Sequence, residues 1–104
     1  MITKEERMNM LNNSYRKHVK GIDYNSQYIF DKISKLPFND CLVQYDSDGW
    51  IDVTTYYCNN ITIIINIDVD GSSHLFTIYK GSRTLIRHEL PLEDIIKIIT
   101  LKVD

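Results

Sequence analysis

Apolar residues recur every third or fourth position near both ends of the chain and every second position through its middle, so helices should flank a run of strands. Met8, Leu11, Tyr15 and Val19 form the first stripe. Ahead of it stand Thr3 and Glu6 in a T-x-x-E capping box, where each side chain satisfies a free backbone N–H of a helix start. Gly21 suits a left-handed C-cap, and the spacing predicts a helix over residues 4–19. Tyr28, Ile29, Ile33 and Leu36 continue a helical period until Pro37, which lacks a backbone donor, predicting a second helix over about residues 25–35.

From Cys41 the period becomes two. Ile51, Val53, Thr55 and Tyr57 share one face of a strand, with Trp50, Asp52, Thr54 and Tyr56 on the other. Ile61, Ile63, Ile65, Ile67 and Val69 make the next apolar face, and "SSHLFTIY" and "RTLIRHEL" supply two further strands around "KGS". If Asp70 and Gly71 are the centre of a two-residue hairpin, Ile67 faces His74, Ile65 faces Phe76 and Ile63 faces Ile78, so that the apolar partners share a side. A three-residue loop at "CNN" likewise sets Val53 opposite Ile65 and Ile51 opposite Ile67, and "YDSDGW" reads as a third turn. In "ELPLEDIIKII", Pro91 suits the first helical position, and Glu93 and Asp94 suit the positive end of a helix dipole. Leu92, Ile95, Ile96 and Ile99 would line its buried face; the isoleucine run leaves a strand as the alternative for this segment. The expected architecture is one α+β domain over residues 1–104. It has two N-terminal helices, a five-stranded antiparallel meander, and one C-terminal helix packed on one face of the sheet.

A chain of 104 residues with 43% apolar and 25% charged positions can bury a core without staples. Its N-terminus carries charge almost at once, and no segment approaches the length of a membrane span, so the protein is expected to stay where it is made, in the cytoplasm. Two cysteines, Cys41 and Cys58, are too few for a disulfide framework and lack zinc-site spacing.

Charge changes the picture most. Residues 36–79 hold Asp40, Asp46, Asp48, Asp52, Asp68 and Asp70 and no lysine or arginine, whereas the flanking segments are net basic. Alternation places Asp52 and Asp68 opposite the isoleucine face, alongside Trp50, Tyr56, Ile64, Leu75 and Tyr79. Aromatics supply contact area and carboxylates steer toward a basic partner, so this face is a candidate binding surface. The competing expectation is that the last helix or a second protomer covers it, which would make a homodimer.

Other chemistry is weaker. The D-x-D-G pairs at Asp46 and Asp48 and at Asp68 and Asp70 resemble calcium loops, but the closing position of an EF-hand falls on Tyr57 and Tyr79, neither of which is a bidentate carboxylate. Asp and Gly are also what hairpin turns demand, and a metal or other cofactor is not expected. His74 and His88 fall on strands flanking Phe76 and read as structural histidines, and no local signature pairs either with Cys41 or Cys58. A small enzyme or ligand-binding domain built on those histidines is the reading from another class; the expectation here is a protein that is not an enzyme. Lys4, Arg7, Arg16, Lys17, His18 and Lys20 on the first helix could meet nucleic acid, yet Glu5, Glu6 and an acidic pI of about 5.9 favour a solvated face.

In size, in a composition without alanine and rich in Ile, Asn, Tyr and Lys, in its α+β plan, and in Asp46, Asp48, Asp52, Asp68 and Asp70 on strands and turns, the chain resembles the small phage-encoded anti-CRISPR proteins. The resemblance implies a viral, non-enzymatic inhibitor that mimics nucleic acid and occupies the basic cleft of a CRISPR effector nuclease. Asp46, Asp48, Trp50, Asp52, Tyr56, Asp68 and Asp70 are the expected contact residues. An immunity protein that neutralises a basic nuclease toxin is the alternative.

Overall fold

The computed structural model describes residues 2–16, 24–45, 50–68 and 74–103. It is an α+β structure in the order α1 (Lys4–Arg16), α2 (Tyr24–Ile33), β1 (Asp40–Tyr45), β2 (Trp50–Tyr56), β3 (Ile61–Asp68), β4 (His74–Lys80), β5 (Arg83–Leu90) and α3 (Leu92–Val103). The five strands form an antiparallel sheet in sequence order, as short connections dictate.

Helix α1 starts where its capping box requires. The Glu6 N–H donates to Thr3 Oγ1 at 3.1 Å and the Thr3 N–H donates to Glu6 Oε1 at 3.3 Å. Its stripe carries Leu11 and Tyr15 into the core, while Val19 and the Gly21 cap lie outside the described residues. Helix α2 ends at Ile33, two residues before the expected limit, and a turn follows through Leu36 ahead of Pro37. Two positions there correct the expected stripe. Tyr28 is exposed, its ring beneath the Lys32 ammonium at 4.9 Å, and Phe30 is the fully buried aromatic, packed edge-on against Tyr15 with ring centroids 5.2 Å apart. The final segment is helix and not strand: Leu92, Ile95 and Ile99 are buried, Ile96 partly so, and the Pro91 carbonyl accepts from the Ile95 N–H at 3.1 Å.

The strand register follows the apolar alternation. Ile67 pairs with His74, Ile65 with Phe76 and Ile63 with Ile78, and Val53 pairs with Ile65 and Ile51 with Ile67. The residues 69–73 that join β3 to β4, and 46–49 that join β1 to β2, lie outside the described residues, and with them the "YDSDGW" and Asp70–Gly71 turns. The "CNN" loop is a 3-10 turn over Cys58–Asn60, closed by the Tyr57 N–H donating to the Ile61 carbonyl at 3.0 Å. Asn59 and Asn60 take left-handed φ values of 65° and 63°, which asparagine tolerates better than most residues. The Asn60 carbonyl then accepts from the Gly81 N–H at 2.9 Å, tying this turn to the β4–β5 turn at the same end of the sheet.

All three helices lie on one face of the sheet. Leu11, Phe30, Ile33, Ile95 and Ile99 share a single core with Val43, Ile51, Val53, Ile63, Ile65, Ile67 and Phe76. Burial of each such side chain contributes about 1.5–3 kcal/mol. Helix α1 packs on β1 and on α2, and α2 packs on α3. No helix among the described residues is long and apolar enough to cross a membrane.

Candidate functional site

With the helices on one side, side chains of the opposite face fall in cross-strand rows. One row runs Gln44, Asp52, Asn66, Leu75, Glu89; the next runs Leu42, Thr54, Ile64, Thr77, Arg87; a third runs Asp40, Tyr56, Thr62, Tyr79, Thr84. Trp50 pairs with Asp68 at the end of β2. Trp50, Tyr56 and Leu42 are 36%, 40% and 41% exposed, a degree of solvent contact that a covering helix would have removed. The expectation that the last helix packs over this face is therefore overturned: α3 sends Ile95 and Ile99 into the core on the other side.

Asp52 sits between two polar neighbours, and its carboxylate is held in place. The Asn66 side-chain amide donates to Asp52 Oδ1 at 2.7 Å from the adjacent strand, and Asp52 is half-buried, not extended into solvent. A carboxylate fixed by one hydrogen bond keeps its second oxygen for an incoming cation without having to be ordered first. Trp50 and Tyr56 flank it two and four residues along β2 on the same face. Asp40 lies at the sheet margin, where its Oδ1 accepts from the Cys41 N–H at 2.8 Å.

Of the expected contact residues, the structure thus brings together Trp50, Asp52 and Tyr56, and places Asp68 in β3 opposite Trp50. Asp46, Asp48 and Asp70 lie outside the described residues. Sequence reasoning missed Asn66 as the partner of Asp52, although the two-residue alternation and the loop length that set Val53 opposite Ile65 also set Asp52 opposite Asn66. It also missed that β5, outside the cation-free residues 36–79, adds an exposed cation, Arg87, and a carboxylate, Glu89, to this face.

The remaining candidates separate. Lys4 is paired with Asp31 at 2.8 Å, and Arg7 donates from Nε to the Phe38 carbonyl at 3.0 Å with its guanidinium 5.8 Å from the Phe38 ring centroid, so both hold the fold together. Asp31 is held below its usual carboxylate range by the Lys4 hydrogen bond. Cys41 and Cys58 are free thiols. Burial, with the neighbouring Asp40 charge, pushes the Cys41 thiol up to about 11, the opposite of what a nucleophile needs. Cys58 is exposed and accepts from the Asn39 amide at 3.2 Å. His74 and His88 lie on neighbouring strands, His74 opposite Ile67 and His88 opposite Phe76. An open cleft of about 220 Å³ lies between α2 and α3, lined by Lys32, Lys35, Glu93, Ile96 and Lys97, on the helical side. Among the described residues no group of three or more His, Cys, Asp or Glu is placed to hold a metal ion.

No protein-family model, curated protein or solved structure matches the chain.

Proposed function

We propose that this protein is a non-enzymatic inhibitor of the anti-CRISPR kind, from a phage or other mobile element. In this reading it docks the uncovered sheet face and its acidic turns into the basic nucleic-acid-binding cleft of a CRISPR effector nuclease. The observation that carries the reading is Asp52: a carboxylate fixed by Asn66, on an uncovered face, between exposed Trp50 and Tyr56. Such a nuclease holds DNA through Arg and Lys side chains aimed at phosphates and guanines, and carboxylates on a rigid sheet compete for those cations. The aromatics supply desolvated contact area around the charge pairs. Inhibition of this type is stoichiometric and weakens as salt rises. The segregation of acid supports it, since residues 36–79 carry six aspartates and no lysine or arginine.

The test uses a panel of purified CRISPR effector nucleases, with DNA binding and cleavage measured against added protein at low and high salt. Competition with DNA that saturates at a fixed ratio of inhibitor to nuclease is the expected result, with charge reversal of Asp48, Asp52 and Asp68 together abolishing it in a variant that remains folded. Unchanged inhibition by that variant would sink the proposal. Inhibition of a basic nuclease toxin instead of any CRISPR effector would move the protein to the immunity class.

A further inference from the structure

The two edges of the sheet are treated differently. Edge strand β1 is sealed by side chains: the Val43 N–H donates to Ser14 Oγ of α1 at 2.8 Å, the Ser14 hydroxyl lies 3.4 Å from the Val43 carbonyl, and the Cys41 N–H is taken by Asp40. Edge strand β5 is eight residues long, and among the described residues no hydrogen bond from a helix or loop reaches its outer side. An open strand of this length presents unpaired N–H and C=O groups to any other strand.

We propose that β5 pairs with β5 of a second copy of this chain, antiparallel about a two-fold axis through His88, joining two sheets into one. The occupant follows from the charge order along the strand. With the axis at His88, Arg87 stands opposite Glu89 of the second copy and Glu89 opposite its Arg87, so the same ion pair forms twice, and Ile86 stands opposite Leu90. Arg87 and Glu89 are both exposed, and Ile86 and Leu90 are both partly buried on the core side. The irregularity in the β4–β5 pairing lies between Ile78 and Tyr79, opposite residues 84–86, which leaves residues 86–90 in regular register.

The arrangement keeps both uncovered sheet faces on one side, so Asp52 and Trp50 of the two copies would share a single extended surface. It does not rest on the inhibitor reading.

The experiment is sedimentation equilibrium on the full chain across a dilution series, for the wild type, Arg87→Glu, Glu89→Arg and the double exchange. A wild-type dimer is expected; each single reversal, which sets like charges opposite each other twice, should weaken it by about tenfold or more, and the double exchange should restore it. Hydrogen exchange on the wild type gives a second readout that needs no variant, with amides of residues 86–90 gaining protection as concentration rises. A wild type that stays monomeric throughout, a dimer indifferent to both single reversals, or protection that arises elsewhere and not in β5 would each overturn the proposal.

Discussion

Ser14 and Val43 lie 29 positions apart in sequence, yet the serine hydroxyl of α1 takes the place of a neighbouring strand for Val43: it accepts from the Val43 N–H at 2.8 Å and reaches the Val43 carbonyl at 3.4 Å. Both residues are buried. Water cannot replace the serine there, so Ser14→Ala leaves a backbone donor unsatisfied at a cost of about 1–3 kcal/mol. Urea unfolding checks this, with an unchanged slope and a lowered midpoint as the expected outcome. A midpoint equal to that of the wild type would mean that the edge has another partner.

Asp52 and Asn66 bear on partner binding. Asp52→Ala should weaken affinity for a basic partner by about tenfold or more, since it removes the charge that the partner cation needs. Asn66→Ala keeps the charge and loses only its orientation, so its loss should be smaller and appear mainly in the dissociation rate. Trp50→Ala should match Asp52→Ala in size but be insensitive to salt, because the ring contributes area and not charge. Titration calorimetry at two ionic strengths separates the three.

Stability should fall on the alkaline side. Burial raises the Cys41 thiol from 9.0 to about 11, and burial likewise raises the Tyr57 phenol above its ordinary value. Each group is then more easily ionised in the unfolded chain than in the folded one. The stabilisation is complete below the unfolded value and is lost as pH rises through the folded one, between about pH 9 and about pH 11 for Cys41. Denaturation midpoints across that window should decline for the wild type and decline less for Cys41→Ser and for Tyr57→Phe. A parallel decline in all three would remove these groups as the cause.

The two thiols should react at different rates. Cys58 is exposed and Cys41 partly buried with a raised pKa, so a neutral-pH thiol reagent should modify one cysteine rapidly and the second only on unfolding. Cys58→Ser should abolish the fast phase alone.

Phe38 follows Pro37 in a connecting segment, where its burial is not announced by any period, and it is fully buried with Arg7 over its ring. Phe38→Ala should cost about 3–5 kcal/mol, the range for removing a buried aromatic. Thermal or denaturant unfolding decides it. A loss near that of a surface substitution would show that the site collapses around the deletion.

Much of the framework was legible because it is local. The capping box at Thr3 and Glu6, the two-residue alternation of β2 and β3, and the loop lengths that set Val53 opposite Ile65 all act between neighbours in sequence, so reading them required no knowledge of the rest of the chain. The final segment was harder: β-branched isoleucines suit a strand, and helix prevailed because Pro91 and the spacing of Leu92, Ile95 and Ile99 let one face join the core. Tyr28 left its expected place in the buried stripe and Phe30, outside that stripe, entered the core because α2 turns the Phe30 face toward Tyr15 of α1, a choice made by packing between helices.

By itself, then, the sequence determined the elements, the strand register and the acidity of the central strands, since periodicity, turn length and charge are properties of short stretches. Only the tertiary structure decided which sheet face stays uncovered, that Asn66 holds Asp52, that Ser14 closes the β1 edge while β5 remains open, and that Arg87 joins the acidic face. Those outcomes depend on which side three helices choose to bury. That choice is set by the combined apolar area of the whole chain and not by any segment of it.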